Sequence, residues 1–314
     1  MRIKIWGARG SRPTPLLDEQ VKNKISAVIQ RVQPRDLVSP AARERFLASL
    51  PASLFGTVGG NTACIQVTPR KGATILVDAG SGIAELAAEA LRSLNPEREY
   101  HIFFTHFHYD HVQGLPFFGP AYNPNCSVHF YSPIPEIRSI LSSHMQHPFF
   151  PVTMEEKMAP NLQFHVLDHR PVTIGSVTVS WRELNHPGRG FGYRFEEAGR
   201  TFVHASDVEL LQSDFEKTPE NRRFFSNADV MILDTQYTLG EAIEKYNWGH
   251  SSFSLGVDFA TAWNVRALYL FHHEPLYDDA KLHKNLQLAR WYAQRLGNLE
   301  LEVYISQEGM EITP

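Results

Sequence analysis

The stretch FFTHFHYDHVQG, Phe103 to Gly114, places three histidines and an aspartate within six positions, directly after an apolar run. In an extended turn alternate residues point the same way, so His106 and His108 reach one ion together. Asp110 and His111 continue round the turn towards a second ion. A neutral imidazole is a good ligand for zinc and similar divalent cations, and a carboxylate adds charge. A polar loop enriched in histidine by chance has no need of ligand-type side chains at 106, 108, 110 and 111, so the spacing is a specific signal. Gly114 lets the backbone turn sharply just beyond.

Before this cluster comes HIFFT (His101 to Thr105), a short and nearly all-apolar run of the kind expected for a buried strand. The cluster therefore sits where rigid scaffold hands over to a functional loop. Further upstream, RIKIW (Arg2 to Trp6), ACIQVTP (Ala63 to Pro69) and TILVDAG (Thr74 to Gly80) read as strands, and IAELAAEALRSL after Gly82 reads as a helix. Downstream, VTVSWREL (Val177 to Leu184), FGYRFEE, RTFVHAS, DVMILD and RALYLFHH are strand candidates. SSFSLGVDFATAW (Ser251 to Trp263) and DDAKLHKNLQLARWYAQRL (Asp278 to Leu296) are helix candidates, the latter with Asp278 as N-cap.

Four ligands are too few for two ions, and further ligand-type residues occur at other strand-to-loop handovers. They are His186 in LNHPGRG, Asp207 in FVHASDVE, and His272 or His273 in YLFHHEP. Taken alone, His186 reads as a surface-loop histidine and Asp207 as a turn cap. Taken as a set they complete the ligands, with Asp207 the natural bridge between two positive ions. Adjacent strand residues point opposite ways, so His272 and His273 do not serve the same ion.

The chain of 314 residues is 43% hydrophobic and 20% charged, with a net charge of -4, and should bury an ordinary core. The absence of a basic excess argues against a non-specific nucleic-acid or membrane-surface protein. Cys64 and Cys126 cannot make a disulfide framework. No apolar run reaches the roughly 18 residues of a membrane span, and MRIKIWGARG lacks a signal-peptide core. The expectation is a cytoplasmic protein forming one domain over 1–314, with a helical insertion over 14–58. In that insertion VKNKISAVIQRV puts Val21, Ile25, Val28, Ile29 and Val32 on one helical face, and SPAARERFLASL offers Ser39 as N-cap and Pro40 at the first helical position. A helical hairpin packed on the body is expected; a lid or a homodimer contact is the alternative.

The motif HxHxDH, then a later His, an Asp and a C-terminal His in that order, resembles the metallo-beta-lactamase superfamily over nearly the whole chain outside 14–58. The resemblance implies an α/β (α+β) fold, the four-layer αββα sandwich, with a dinuclear site at one edge. It implies that His106, His108 and His186 hold one ion, that Asp110, His111 and His272 hold the other, and that Asp207 bridges them. It makes Asp78 in LVDAG an orienting partner behind the metal loop, and it leaves His273 to support or packing. Redox relatives with a di-iron centre carry Glu where this chain has His108, so a hydrolase is expected. The implied cofactors are two divalent metal ions, Zn2+ first, with Mn2+ or Fe2+ within reach of the same ligands.

Two divalent ions outweigh the charges of Asp110 and Asp207. The net positive centre suits an anionic phosphodiester, whose transition state gains negative charge. YNWGHSSFS sets His250 between Gly249 and two serines and resembles the Gly-His-Ser-Thr element of ribonuclease Z-like phosphodiesterases. That resemblance implies that His250 contacts the scissile phosphate and protonates the leaving oxygen; the bland alternative is a helix-start residue held by packing. Asp110 and His250 are thus the candidate catalytic residues. KIWGARGSRPTP, VGGNTACIQV, DAGSG, PFFGP and HPFFPV (His147 to Val152) are similar to bacterial cyclic-nucleotide phosphodiesterase-like members. Asn61, Thr62 and His250 are the candidate substrate contacts, and Arg9 or Arg12 the candidate phosphate partners. Phe149 and Phe150 either stack on a base or pack in the core. No long Gly-rich basic arm is visible, which favours a small phosphodiester or nucleotide, a cyclic nucleotide first, over RNA. A ribonuclease Z-like tRNA 3′-processing endonuclease and a non-catalytic nucleotide-binding protein are the alternative readings.

Overall fold

A computed structural model describes every residue of the chain except Ala159 and Asn161. The strands in chain order are β1 Arg2–Gly7, β2 Cys64–Thr68, β3 Thr74–Val77, β4 Glu99–Phe103, β5 Ser127–Ser132, β6 Leu162–Val166 and β7 Val172–Ile174. They continue with β8 Val177–Leu184, β9 Gly190–Glu197, β10 Arg200–Ala205, β11 Val230–Asp234, β12 Ala267–Phe271, β13 Glu302–Ile305 and β14 Glu311–Ile312. They form two seven-stranded sheets, ordered β14-β1-β2-β3-β4-β5-β6 and β13-β12-β11-β10-β9-β8-β7. From β3 to β6 and from β10 to β13 neighbouring strands run parallel.

The period-2 alternation of strand side chains builds the layers. In β3, Ile75 and Val77 point into the core between the sheets, while Leu76 points outward under the helix Gly82–Arg92. In β11, Val230 and Ile232 face the central core, while Met231 and Leu233 face the helices Phe253–Ala262 and Asp279–Arg295. In β12, Tyr269 and Phe271 point inward and Leu268 and Leu270 outward. Both sheets are buried on both faces, which is why their parallel strands read as apolar runs. The result is the αββα sandwich. Asp278 caps the last long helix by accepting from the Lys281 N–H at 2.8 Å.

The 14–58 segment holds three α-helices, Asp18–Ile29, Pro40–Ser49 and Ala52–Phe55, and a short 3-10 turn, Pro34–Asp36. Ser39 accepts from the Ala42 N–H at 3.1 Å, the expected N-cap. The apolar side of Asp18–Ile29 is not packed on the body: no residue of that helix is buried, and Val21, Ile25 and Ile29 are exposed. What anchors it is Lys24, whose Nζ lies 2.6 Å from Asp279 Oδ2 and also donates to the carbonyls of Ser53 and Gly56. Cys64 and Cys126 are buried and free, and no helix among the described residues is long and apolar enough to cross a membrane.

Candidate metal centre

The site lies at the C-terminal ends of the parallel strands, the edge where sheets of this kind present ligands. β3 ends one residue before Asp78, β4 leads into Thr105 and His106, β10 leads into Asp207, and β12 ends one residue before His272. Asp78, Asp207 and His272 all have left-handed backbones, with φ of 62°, 56° and 59°. Non-glycine residues rarely adopt this conformation, and it gathers at functional sites where the surroundings impose it. Here it turns each side chain sharply off its strand.

Beside a smaller group of Asp234, His250 and His272, two groups of four ligand atoms result, each with all its atoms within 4.8 Å of one another: His106, His108, His186 and Asp207, and Asp110, His111, Asp207 and His272. Asp207 belongs to both. His108 Nδ1 lies 2.9 Å from His106 Nε2 and 3.2 Å from His186 Nε2. His272 Nε2 lies 3.1 Å from Asp110 Oδ2 and 3.2 Å from Asp207 Oδ2. His111 Nε2 lies 3.2 Å from Asp207 Oδ1 and is buried without a hydrogen-bond partner. A cavity of about 340 Å³ opens over the cluster, lined among others by His108, Asp110, Asp207, His250 and His272.

The surroundings fix which ring nitrogens face inward. Thr105 donates to Asp78 from both its N–H and its hydroxyl at 2.8 Å, and Asp78 Oδ2 lies 2.7 Å from His111 Nδ1. A carboxylate only accepts, so His111 Nδ1 carries the proton and Nε2 points bare at the cluster. His186 Nδ1 meets the Gly249 carbonyl at 2.9 Å, which likewise leaves Nε2 for the cluster. His272 Nδ1 meets Gln236 Oε1 at 3.1 Å, an amide oriented by its own donation to Glu274 at 2.8 Å. Imidazole nitrogens facing one another and two carboxylates need positive charge between them. That donor set fits divalent cations.

The electrostatics agree. Burial, with His111 nearby, pushes His106 well below the usual imidazole range, and burial also lowers His108 and His186, so these rings are neutral donors. Burial alone would lower His111 too, yet Asp207, Asp110 and Asp78 hold it well above its ordinary value. For His272 the same contest, burial against Asp207 and Asp110, ends at about 9. Burial opposes ionisation of Asp207, but His111 and His272 hold it well below the usual carboxylate range. The second group thus carries negative charge that attracts a proton or a cation.

Close packing of the loops also matters. A Cβ on Gly10 would fall 2.4 Å from His272 Nδ1, so only glycine lets the amino-terminal loop cross there. The next residue, Ser11, donates its N–H to Asp110 Oδ2 at 2.7 Å. Gly249, at φ 87°, would place a Cβ 2.4 Å from His186 Nδ1.

His250 lines the cavity, with Nδ1 2.7 Å from Asp234 Oδ2 and its ring stacked on His272 at 4.8 Å. The other expected residues lie elsewhere. His273 turns away, its Nε2 2.9 Å from the Ser306 carbonyl, so the cluster takes His272. Asn61 and Thr62, expected as substrate contacts, are not among the cavity-lining residues. Thr62 is fully buried and its Oγ1 accepts from Ser81 and Gln113, while Asn61 is bound to Ser81 and Glu308. Arg9 is buried and donates to the carbonyls of Gly59 and Tyr277, so it is a brace between loops and not a phosphate partner. Arg12 is exposed. The sequence reading missed Thr105, Asp234 and Gln236. Asp234 carried a signal, a carboxylate closing an apolar strand just as Asp78 follows one. Glu99, His101 and His129 form another group away from this site, with His101 Nε2 3.3 Å and His129 Nε2 3.6 Å from Glu99 Oε1 and the two rings stacked at 4.6 Å.

Residues 73–273 match the family model described as a beta-lactamase superfamily domain. The ribonuclease Z of Bacillus anthracis is 23% identical over 291 residues, covering 74% of this chain and 89% of its own. Among solved structures, the metallo-beta-lactamase fold protein YhfI from Bacillus subtilis superposes with a TM-score of 0.64 at 14% identity, covering 99% of this chain and 98% of its own. A diphosphatase from the PhnP family superposes with a TM-score of 0.63 at 14% identity, covering 100% and 97%. At such identities the solved structures speak for the fold alone. The family match spans more than half of the chain, and on that ground the protein belongs to the beta-lactamase superfamily, as a hydrolase of the metallo-beta-lactamase fold.

Proposed function

We propose that the protein is a dinuclear metal-dependent phosphodiesterase acting on a small phosphodiester, a cyclic nucleotide first, in the cytoplasm. In this reading His106, His108 and His186 hold one cation, Asp110, His111 and His272 hold the second, and Asp207 lies between them. Bound there, divalent cations, Zn2+ first and Mn2+ or Fe2+ next, supply a Lewis acid for a phosphate oxygen and a nucleophilic water at neutral pH. Asp78, Gln236 and the Gly249 carbonyl keep His111, His272 and His186 in the required tautomers. Ser11 and Gly10 close the amino-terminal loop over Asp110 and His272.

The observation that carries the reading is the Asp234–His250 pair at the wall of the cluster's cavity. With Nδ1–H held by the carboxylate, Nε2 is the nitrogen left to hold a proton against the departing ester oxygen. An alkoxide leaves poorly unless a proton arrives, so a general acid beside the cations is what a phosphodiester needs. The test is to incubate zinc- or manganese-reconstituted protein with cyclic AMP, bis(p-nitrophenyl) phosphate, nitrocefin and an acyl thioester in parallel. Cleavage of the phosphodiesters alone supports the reading; cleavage of only nitrocefin or the thioester contradicts it.

A second reading, a tRNA 3′-processing endonuclease, is favoured by the similarity to ribonuclease Z. Precursor tRNA incubated beside cyclic AMP separates the two. A third, a non-catalytic nucleotide-binding protein, requires a metal-loaded sample that binds nucleotide without cleaving it. The exposed apolar side of Asp18–Ile29 is the proposed contact should the protein be a homodimer.

A further inference from the structure

Along the metal loop, side chains alternate. His106, His108 and Asp110 enter the ligand cluster, whereas Phe107 and Tyr109 between them line both the metal cavity and a second cavity of about 500 Å³. The two spaces therefore adjoin at these two rings. The far walls of the second cavity carry Phe117, Phe149, Phe150 and His144. Phe117 meets Phe150 edge-on at 6.0 Å, and His144 leans on Tyr109 at 5.6 Å. Phe107 and Phe150 pack half-buried against the core, but the outer rings do not. Tyr109 is 73% exposed, Phe117 63% and Phe149 80%, all at the mouth of one groove. Large apolar rings gathered in water beside a reactive centre mark a binding surface, not packing.

The chemistry of the groove narrows its occupant. No Lys, Arg, Asp or Glu lines it, so it offers nothing to a phosphate backbone, which a polynucleotide track needs. Two of its four polar side chains are committed to the fold, leaving Tyr109 and His144: Ser143 donates to the Ile140 carbonyl at 2.7 Å, and Gln113 Nε2 donates to Thr62 at 3.0 Å. The rest of the lining is aromatic or apolar. Such a surface takes one flat aromatic ring and discriminates weakly between rings, because every base has a π-face.

We propose that this groove is the subsite for the single base of a mononucleotide whose phosphate lies at the ligand cluster. The proposal rests on the phosphodiesterase reading for the position of the phosphate, but base binding is measurable without turnover. Isothermal titration of the zinc-reconstituted protein with adenosine 5′-monophosphate and with ribose 5-phosphate compares one phosphate charge with and without a base. The nucleotide should bind about 5- to 150-fold more tightly, the gain of one stacked base. In the double variant Phe117→Ala/Phe149→Ala, whose replaced rings are exposed, that difference should vanish while ribose 5-phosphate binds as before. Equal affinity for the two ligands, failure of both to bind, or a base preference that survives the double substitution overturns the proposal. Base-dependent binding without hydrolysis of any phosphodiester would remove the catalytic reading and leave the subsite standing.

Discussion

Asp234 holds His250 in place: its Oδ2 lies 2.7 Å from His250 Nδ1 and also accepts from the Val208 N–H, while Oδ1 accepts from the Gln236 N–H at 3.0 Å. The carboxylate is fully buried and locked by the backbone, so the ring it orients is locked too. In the proposed reading this gives His250 to the proton and the two four-residue groups to the cations. His250→Ala should keep its metal content by elemental analysis and lose roughly 100- to 10,000-fold in kcat, the usual worth of a general acid. Asp234→Asn should lose less, with metal content again retained. Full activity in His250→Ala would remove the leaving-group role.

Asp207 is shared by both ligand groups, so Asp207→Asn should lower metal content and abolish turnover together. Asp78 acts through His111. Asp78→Asn should weaken metal affinity by about 10- to 100-fold, as loss of an outer hydrogen-bond partner commonly does. Competition with a chromophoric chelator reads both. Unchanged affinity in Asp78→Asn would mean that Thr105 and packing alone hold the ring.

Proton and cation compete at the second group. In chelator-treated protein His272 is raised from 6.5 to about 9, burial being outweighed by Asp207 and Asp110. A raised imidazole contributes stability that is fully present below the unfolded value and lost as pH rises through the folded one. The chelated protein should therefore lose thermal stability between pH 6.5 and about 9. Metal-loaded protein should not, and metal affinity should climb over the same interval as the proton is displaced. Calorimetric melts of the two forms across that range check this. A chelated protein whose melting temperature stays level contradicts it.

Gly10 is a packing requirement of the centre. In Gly10→Ala the new Cβ meets the His272 ring at 2.4 Å. The variant should fold, with far-ultraviolet circular dichroism unchanged, and bind less metal. Wild-type metal content would show that the loop yields instead of the ring.

Much of this was legible in the sequence because it is local. The spacing of His106, His108, Asp110 and His111 is set by one turn, and the runs ending at Asp78, Asp207 and His272 announce strands that hand over to loops. The central strands read correctly because burial on both faces makes them apolar. β5 and β6 escaped notice because their His129, Gln163 and His165 break that pattern at a half-buried sheet end. Asp234 and Gln236 lie within the chain far from the His250 and His272 they orient, and no spacing rule joins them. The fate of Phe149 and Phe150 was undecidable from the dipeptide alone, since exposure depends on the distant metal loop that forms the opposite wall.

The most direct test of the account is elemental analysis of reconstituted protein together with an anomalous-scattering map. The account predicts two transition-metal ions per chain on either side of Asp207, one among His106, His108 and His186 and one among Asp110, His111 and His272. Protein without stoichiometric metal, or metal located away from Asp207, would contradict it.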